Sequence, residues 1–339
     1  MMTEKHEGRE KNTTITIIRV LSTLMIVGCH LASWMGANAI AMLLNVGVYV
    51  FLLISGSLYS NKTIQNGCSF MRNRWVRLCV PMYLLVAFLS AVQLVNMKQV
   101  SIGAVFAYLL NIQGIGFMIS RLTIPVIDGL GPLWFLTTIM LCYGMLIVTK
   151  KTSIDRCLQK RPFIVLGLLA AASILFTCTI QVHLYYFLAF FIGYAMAKKN
   201  QKLTAQEYVL ATVFMLCAVA TRLVSRHYAD ATILYDNIIV PFTHIVLAVW
   251  ICLSMFYFNQ LMPEKITRIA NCRPVVTLER LSMYLYMTHD LFLDGPFCVD
   301  LLPLPTILQV LIFVVAALVS AAVLEMVSKP VIRVLSCQK

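Results

Sequence analysis

The stretch TITIIRVLSTLMIVGCHLAS, residues 14–33, decides the fold. It is apolar over about 20 residues, the length that one helix needs to cross a bilayer. Its two ionisable members are Arg19 and His30. A charge or imidazole inside a membrane is costly and usually faces the interior of a helix bundle. The stretch therefore predicts a transmembrane helix that carries polar chemistry.

The rest of the chain repeats this apolar pattern. The sequence is 60% hydrophobic and only 12% charged, too apolar for a soluble fold. We therefore predict an all-α membrane protein, a bundle of about ten transmembrane helices forming a single transmembrane domain over residues 1–339. The predicted spans are residues 14–33, 41–59, 78–97, 132–149, 162–180, 183–197, 207–224, 237–257, 281–297 and 305–327.

One further apolar run, residues 101–119, is interrupted by Asn111, Gln113 and two glycines. We predict that it is a re-entrant or interfacial segment packed against protein, because a crossing here would invert the positive-inside pattern of the later loops. Without that crossing, both termini are cytoplasmic and the plasma membrane is the expected location. Only a few basic residues then lie away from the inner loops and termini: Arg19, Lys98, Arg121, Arg222 and Arg226.

Two other classes of function are not supported. The formal net charge is +13, but the basic residues lie in separate loops and never form the continuous stripe of a nucleic-acid binder. The 11 cysteines show no metal-ligand spacing. We therefore expect neither a nucleic-acid partner nor a bound metal.

The first span places its two ionisable residues on one face. Arg19 and His30 are eleven positions apart, so they return to within roughly 20° of the same direction and lie about 16 Å apart along the helix. Arg19 should be near the inner surface and His30 well inside the membrane. The simpler alternative is a polar stripe that only joins two helices. His244, in the eighth span, is a weaker candidate for an intramembrane role.

Three arginines follow the second span. That span ends in FLLISGSL, where Ser55 and Gly56 would let another backbone approach closely. The next segment, which we interpret as a cytoplasmic loop, contains Arg72, Arg74 and Arg77, and guanidinium groups bind phosphate oxygens in a bidentate manner. The alternative is ordinary topology signal or lipid headgroup anchoring.

A second group of polar residues lies near the end of the chain. The string LSMYLYMTHD places Ser282, Tyr286 and His289 in the ninth span or its approach, with Tyr286 and His289 on one helix face. A structural histidine at the interface is the alternative. Trp134 should lie at the outer interface of the fourth span, mainly in a structural role, as a substrate or supporting residue.

Taken together, four motifs resemble the acyltransferase family 3, membrane O-acyltransferases that act on sugars and cell-surface glycans. They occur in the family's order between residues 19 and 289. These motifs are Arg19 and His30 separated by ten residues, FLLISGSL at 51–58, RWVRLCVP at 74–81 and LSMYLYMTH at 281–289.

The resemblance implies that Arg19, Arg74 and Arg77 hold an acyl-coenzyme A donor and that His30 is the catalytic residue. Neutral imidazole could act as a general base or be acylated transiently. No carboxylate near His30 is evident, so a Ser, Asn or Tyr side chain or a backbone carbonyl is expected to orient it. No metal is implied.

The implied reaction is transfer of an acyl group, with acetyl from acetyl-CoA favoured, to a hydroxyl of a glycan or glycolipid in contact with membrane lipid. The alternative is a transporter or flippase for an anionic lipid-linked substrate, with the arginines lining its path. A scaffold is the third reading. The absence of inverted repeats favours the enzyme. The sequence leaves the acceptor, the acyl length and the oligomeric state open.

Overall fold

The computed structural model describes residues 13–96, 101–198, 202–229 and 234–337. Within these ranges the chain forms helices and no strand, with one isolated β-bridge between Ile119 and Val182. The predicted all-α membrane class is confirmed. The helices are α1 (Thr13–Trp34), α2 (Asn38–Leu44), α3 (Val46–Ser57), α4 (Gly67–Val95), α5 (Ile102–Leu109), α6 (Ile115–Met118), α7 (Trp134–Lys151), α8 (Ile154–Lys160), α9 (Pro162–Ile180), α10 (Tyr185–Lys198), α11 (Ala205–Ala229), α12 (Val240–Leu261), α13 (Pro263–Asn271), α14 (Arg273–Thr288) and α15 (Thr306–Cys337). Short 3₁₀ turns cover Gly131–Leu133, His289–Phe292 and Val299–Leu301, and a π-helical turn covers Tyr235–Ile239.

In the described ranges, 8 helical stretches are long and apolar enough to cross a membrane. The other two predicted spans correspond to α10 and α14, which are shorter, with 14 and 16 residues. The 3₁₀ turn that follows α14 extends it towards the end of the bundle. The crossing stretches are Thr13–Trp34, Asn38–Ser57, Gly67–Val95, Gly131–Lys151, Pro162–Ile180, Ala205–Tyr228, Tyr235–Leu261 and Thr306–Ser336.

Burial separates central from peripheral spans. The most apolar windows of Asn38–Ser57 and Gly131–Lys151 are each 61% buried, whereas those of Pro162–Ile180 and Ala205–Tyr228 are each 11% buried. Lipid is as apolar as these side chains, so an exposed leucine there costs nothing. The spans that contain α3 and α7 are therefore central, whereas α1, whose most apolar window is 39% buried, is only partly covered by other helices.

The centre is built on a close contact between α3 and α10. A Cβ atom at Gly56 would lie 1.9 Å from the Phe190 carbonyl oxygen, and one at Gly193 would lie 1.9 Å from the Leu53 oxygen. Neither site can hold a side chain without separating the helices. The close backbone approach expected at Gly56 is thus present, with small residues on both sides.

The segment near 101–119 does not cross the membrane. It consists of α5 and α6, of 8 and 4 residues, with Asn111 between them at a positive φ of 53°. The side chains of Asn111 and Gln113 donate to the carbonyl oxygens of Leu136 (3.4 Å) and Leu133 (2.9 Å). The segment is packed against the start of α7 by polar side chains, which satisfy the non-helical backbone there.

Two local expectations are wrong. The arginine segment after α3 is not a loop but the first turns of α4, which begins at Gly67 with Asn66 accepting a hydrogen bond from Ser69 N at 3.1 Å. A helix that continues beyond the hydrocarbon has no need of apolar residues there. Likewise α11 does not end near residue 224, as the predicted span 207–224 implies, but continues to Ala229, and Arg222 is buried within it.

Candidate active site

Arg19 and His30 both contact α14 and the turn that follows it. Arg19 Nη1 lies 3.8 Å from Glu279 Oε1, and His30 Nδ1 lies 3.6 Å from Asp290 Oδ1. The two contacts are eleven positions apart on each helix, so α1 and α14 run parallel in one register. Both side chains therefore face a neighbouring helix or the turn that follows it. As the helix spacing in the sequence predicted, Arg19 and His30 lie on the same face of α1, and that face packs against α14.

A cluster of three groups surrounds the end of α1. The rings of His30 and His289 are 4.9 Å apart between centroids, at 64° to each other. Asp290, beside His289, supplies the carboxylate at 3.6 Å from His30. The structure thus places a carboxylate near His30, where the sequence predicted a hydroxyl, an amide or a backbone carbonyl as the orienting group. The sequence shows Asp290 beside His289 but not its contact with His30, because that contact forms only through the pairing of distant helices.

The orientation of His289 is fixed by its own helix. Its Nδ1 lies 2.8 Å from the Tyr286 carbonyl oxygen and 3.3 Å from that of Leu285, so Nδ1 carries the proton and donates it. Its Nε2 is therefore unprotonated, and the lone pair of this nitrogen is buried without a hydrogen-bond partner among the described residues. The side chain is 0% exposed. A second basic nitrogen thus lies beside His30.

The ligand atoms of His30, His289 and Asp290 lie within 4.8 Å of one another, so the group could hold a metal ion. A backbone carbonyl that fixes the far nitrogen, as at His289, is common for metal-binding histidines. The expectation that no metal is bound was based on cysteine spacing and did not take this group of residues into account.

Tyr286 and Trp134 line the approach to the cluster. The Tyr286 hydroxyl donates to the Pro132 carbonyl oxygen, and its ring centroid is 6.1 Å from that of His289. Trp134 packs 6.0 Å from Phe135, which in turn is 5.9 Å from Tyr286. These aromatic residues form one continuous wall with His289.

Two predicted supporting residues lie elsewhere. Ser282 donates to the Glu279 carbonyl oxygen at 2.8 Å within its own helix, about two turns before His289. Ser55 is buried in α3, and in the part of the chain that the structure describes no contact joins it to the His30 cluster. Both sites contribute to helix structure rather than to this cluster.

A polar cavity of about 300 Å³ opens near the other end of α1. The guanidinium of Arg74 is stacked in it between aromatic rings, 5.1 Å from the Tyr59 centroid and 5.4 Å from that of Phe70. Its Nε is buried without a hydrogen-bond partner. Among the described residues no carboxylate pairs with Arg74. The cavity is lined by Tyr59, Lys62, Thr63, Ile64, Gln65, Asn66, Phe70 and Arg74.

The electrostatics around Tyr59 bring the predicted cations together. Tyr59 lies beyond the end of its span at Ser57. Burial raises the pKa of its phenol, and the positive charges of Arg74, Arg19 and Arg77 act in the opposite direction. Three of the four predicted donor-binding arginines are therefore within electrostatic reach of one hydroxyl.

Arg72 points elsewhere. Its Nη2 donates to the Leu335 carbonyl oxygen of α15 at 3.0 Å, and its side chain is exposed. Conversely, sequence reasoning missed Tyr59 and Lys62 as members of the cavity. The only available signal was their position directly after the FLLISGSL segment.

Comparison with known proteins identifies the family of the chain. A family model described as an acyltransferase domain matches residues 12–326, nearly the whole chain. No curated protein and no solved structure matches. The matched range includes the His30 cluster, the Arg74 cavity and the helices that join them. The chain belongs to the acyltransferase family 3 and is a membrane acyltransferase.

Proposed function

We propose that the protein transfers an acyl group, with acetyl favoured, from acyl-coenzyme A to a hydroxyl of a glycan or glycolipid at the plasma membrane. The single observation that supports this most is the placement of two sites on one helix. The Arg74 cavity lies near the start of α1, and the His30 cluster lies near its end. Both termini are assigned to the cytoplasm, because the basic loops then face inward.

The donor is assigned to the Arg74 cavity. Coenzyme A carries a pyrophosphate and a 3′-phosphate, and paired guanidinium groups bind such oxygens strongly. Arg74 and Arg77 are three positions apart on α4, so they lie on one side of the helix. Arg19 provides a third charge on α1, and Lys62 lies at the rim. With the phosphates held here, the thioester arm extends along α1 towards His30, which lies about 16 Å beyond Arg19 along that helix.

The acyl transfer uses His30 as the group that handles the proton. The acceptor hydroxyl gives its proton to a ring nitrogen while its oxygen attacks the thioester carbonyl. The C–S bond then breaks, and the coenzyme A thiolate takes the proton back from the imidazolium. Asp290 stabilises that imidazolium from 3.6 Å, and this distance is short enough for a strong charge interaction in a partly buried site. Transient acylation of His30 gives the same products.

The experiment is acyl transfer by purified protein in lipid nanodiscs. Radiolabelled acetyl-CoA is supplied with envelope glycan from cells that lack the protein. His30→Ala should lower transfer at least 100-fold, as expected for a general base. His227→Ala is the matched control, because His227 is exposed in α11.

Two results would overturn the proposal. One is full transfer by His30→Ala. The other is no transfer by the wild type combined with substrate movement in liposomes, which would support the transporter hypothesis instead.

A further inference from the structure

Arg222 and His244 form a buried polar pair that acyl transfer does not use. Arg222 Nη1 lies 2.9 Å from His244 Nε2, and their relative exposures are 9% and 1%. His244 Nε2 is also 2.9 Å from the carbonyl oxygen of Met42 in α2. Because α2 follows the end of α1 that carries His30, the pair lies at the same end of the bundle as the catalytic cluster.

The hydrogen bonds of this pair are incomplete. An arginine guanidinium carries five N–H donors and keeps its charge. His244 Nε2 can accept from Arg222 or donate to Met42, but it cannot do both at once. In the residues that the structure describes, no carboxylate pairs with Arg222. A buried cation therefore has at most one protein hydrogen bond here.

Such an arrangement is unfavourable unless a ligand completes it. A buried charge without a partner is strongly unfavourable, and intramembrane arginines usually mark a substrate path or an ion site. Phosphate and carboxylate groups match the guanidinium fork, because two parallel N–H donors reach two oxygens. The chemistry of Arg222 thus points to an oxyanion.

A continuous series of ring contacts leads from this pair to the catalytic cluster. The centroid of His244 is 5.5 Å from that of Tyr49, and Tyr49 stacks 5.8 Å from Tyr186. Tyr186 is 5.1 Å from Trp134, at the start of the wall that ends at His289. Aromatic rings provide flat, partly polar contact surfaces for ligands. The Arg222–His244 pair and the His30 cluster are therefore connected by one continuous series of aromatic contacts.

We propose that Arg222 and His244 bind an oxyanion, either a phosphate or a carboxylate, at the acceptor end of the enzyme. An acidic glycan acceptor and a phospholipid headgroup both present such a group. The inference rests on the proposed function in one respect, namely that this end of the enzyme binds the acceptor. Oxyanion binding by Arg222 and His244 does not itself depend on catalysis.

The test is thermal unfolding of the purified full-length protein in a neutral detergent. Four probes are compared: glucose 1-phosphate, glucuronate, glucose and dihexanoyl phosphatidic acid. The two acidic sugars should raise the Tm of the wild type by about 2 °C or more at saturation, and glucose should not. Arg222→Gln should abolish that shift. Arg222→Lys, which keeps the charge but loses the fork, should reduce it.

Arg226→Gln is the matched control, because it removes the same charge one helical turn later at an exposed position. It should retain the full shift, as should His30→Ala. A shift with phosphatidic acid alone would assign the site to a lipid headgroup. No shift with any acidic probe, or an equal shift in Arg222→Gln, would overturn the proposal. If His30→Ala kept both activity and the shift, the proposed function would fail while the oxyanion site would stand.

Discussion

The sharpest test of the catalytic cluster is Asp290→Asn. The change keeps the shape of the side chain and removes the negative charge 3.6 Å from His30 Nδ1. Two unit charges at that distance interact by about 4–5 kcal/mol at an effective dielectric constant of about 20. The His30 side chain is 36% exposed, so solvent should reduce this by about half. A loss of about 2–3 kcal/mol in the transition state corresponds to roughly 30–150-fold in kcat.

The measurement is the radiolabelled transfer assay in nanodiscs, with kcat and the donor KM determined separately. The donor KM should be unchanged, because the proposed donor site lies near the other end of α1. Asp300→Asn is the control, since Asp300 accepts a hydrogen bond from the Trp34 indole at 3.0 Å at the same end of the bundle. Activity of Asp290→Asn within threefold of wild type, or a loss no larger than that of Asp300→Asn, would refute the assignment.

Two further changes test the donor cavity and the helix packing. Arg74→Lys keeps the charge but loses the planar guanidinium stacked on Tyr59 and Phe70. The KM for acyl-CoA should therefore rise about 10–100-fold in initial-rate measurements. Arg72→Lys is the control and should change this KM little, because Arg72 contacts α15 instead. Gly56→Ala would place a methyl group 1.9 Å from the Phe190 carbonyl oxygen and should lower the Tm by several degrees. Gly167→Ala is the control and should leave the Tm unchanged, because nothing lies within 4 Å of the added methyl group. Equal Tm values for the two variants would contradict the packing described.

The features that were predictable from the sequence are those that depend on local repetition. Apolar runs of bilayer length predicted the helices, and the eleven-residue spacing of Arg19 and His30 predicted their common face, because helix geometry alone fixes both. The break at Asn111 was also visible, since polar residues and glycine interrupt the apolar run there.

What could not be predicted depends on contacts between distant segments. Asp290 reaches His30 only because α14 packs in parallel beside α1. Hydropathy ended the predicted span 207–224 just after Arg222, but the side chain of Arg222 turns inward to His244 and α11 continues to Ala229. The aromatic rings around Arg74 likewise come from three separate elements.

The equal spacing of the Arg19–Glu279 and His30–Asp290 contacts has a consequence for how the enzyme tolerates change in length. Inserting one residue between Glu279 and Asp290 would rotate the carboxylate by about 100° and advance it by 1.5 Å. The insertion could be absorbed only by a matching one between Arg19 and His30. Equal insertions in both helices would therefore keep the two contacts in register, whereas an insertion in one helix would break one of them.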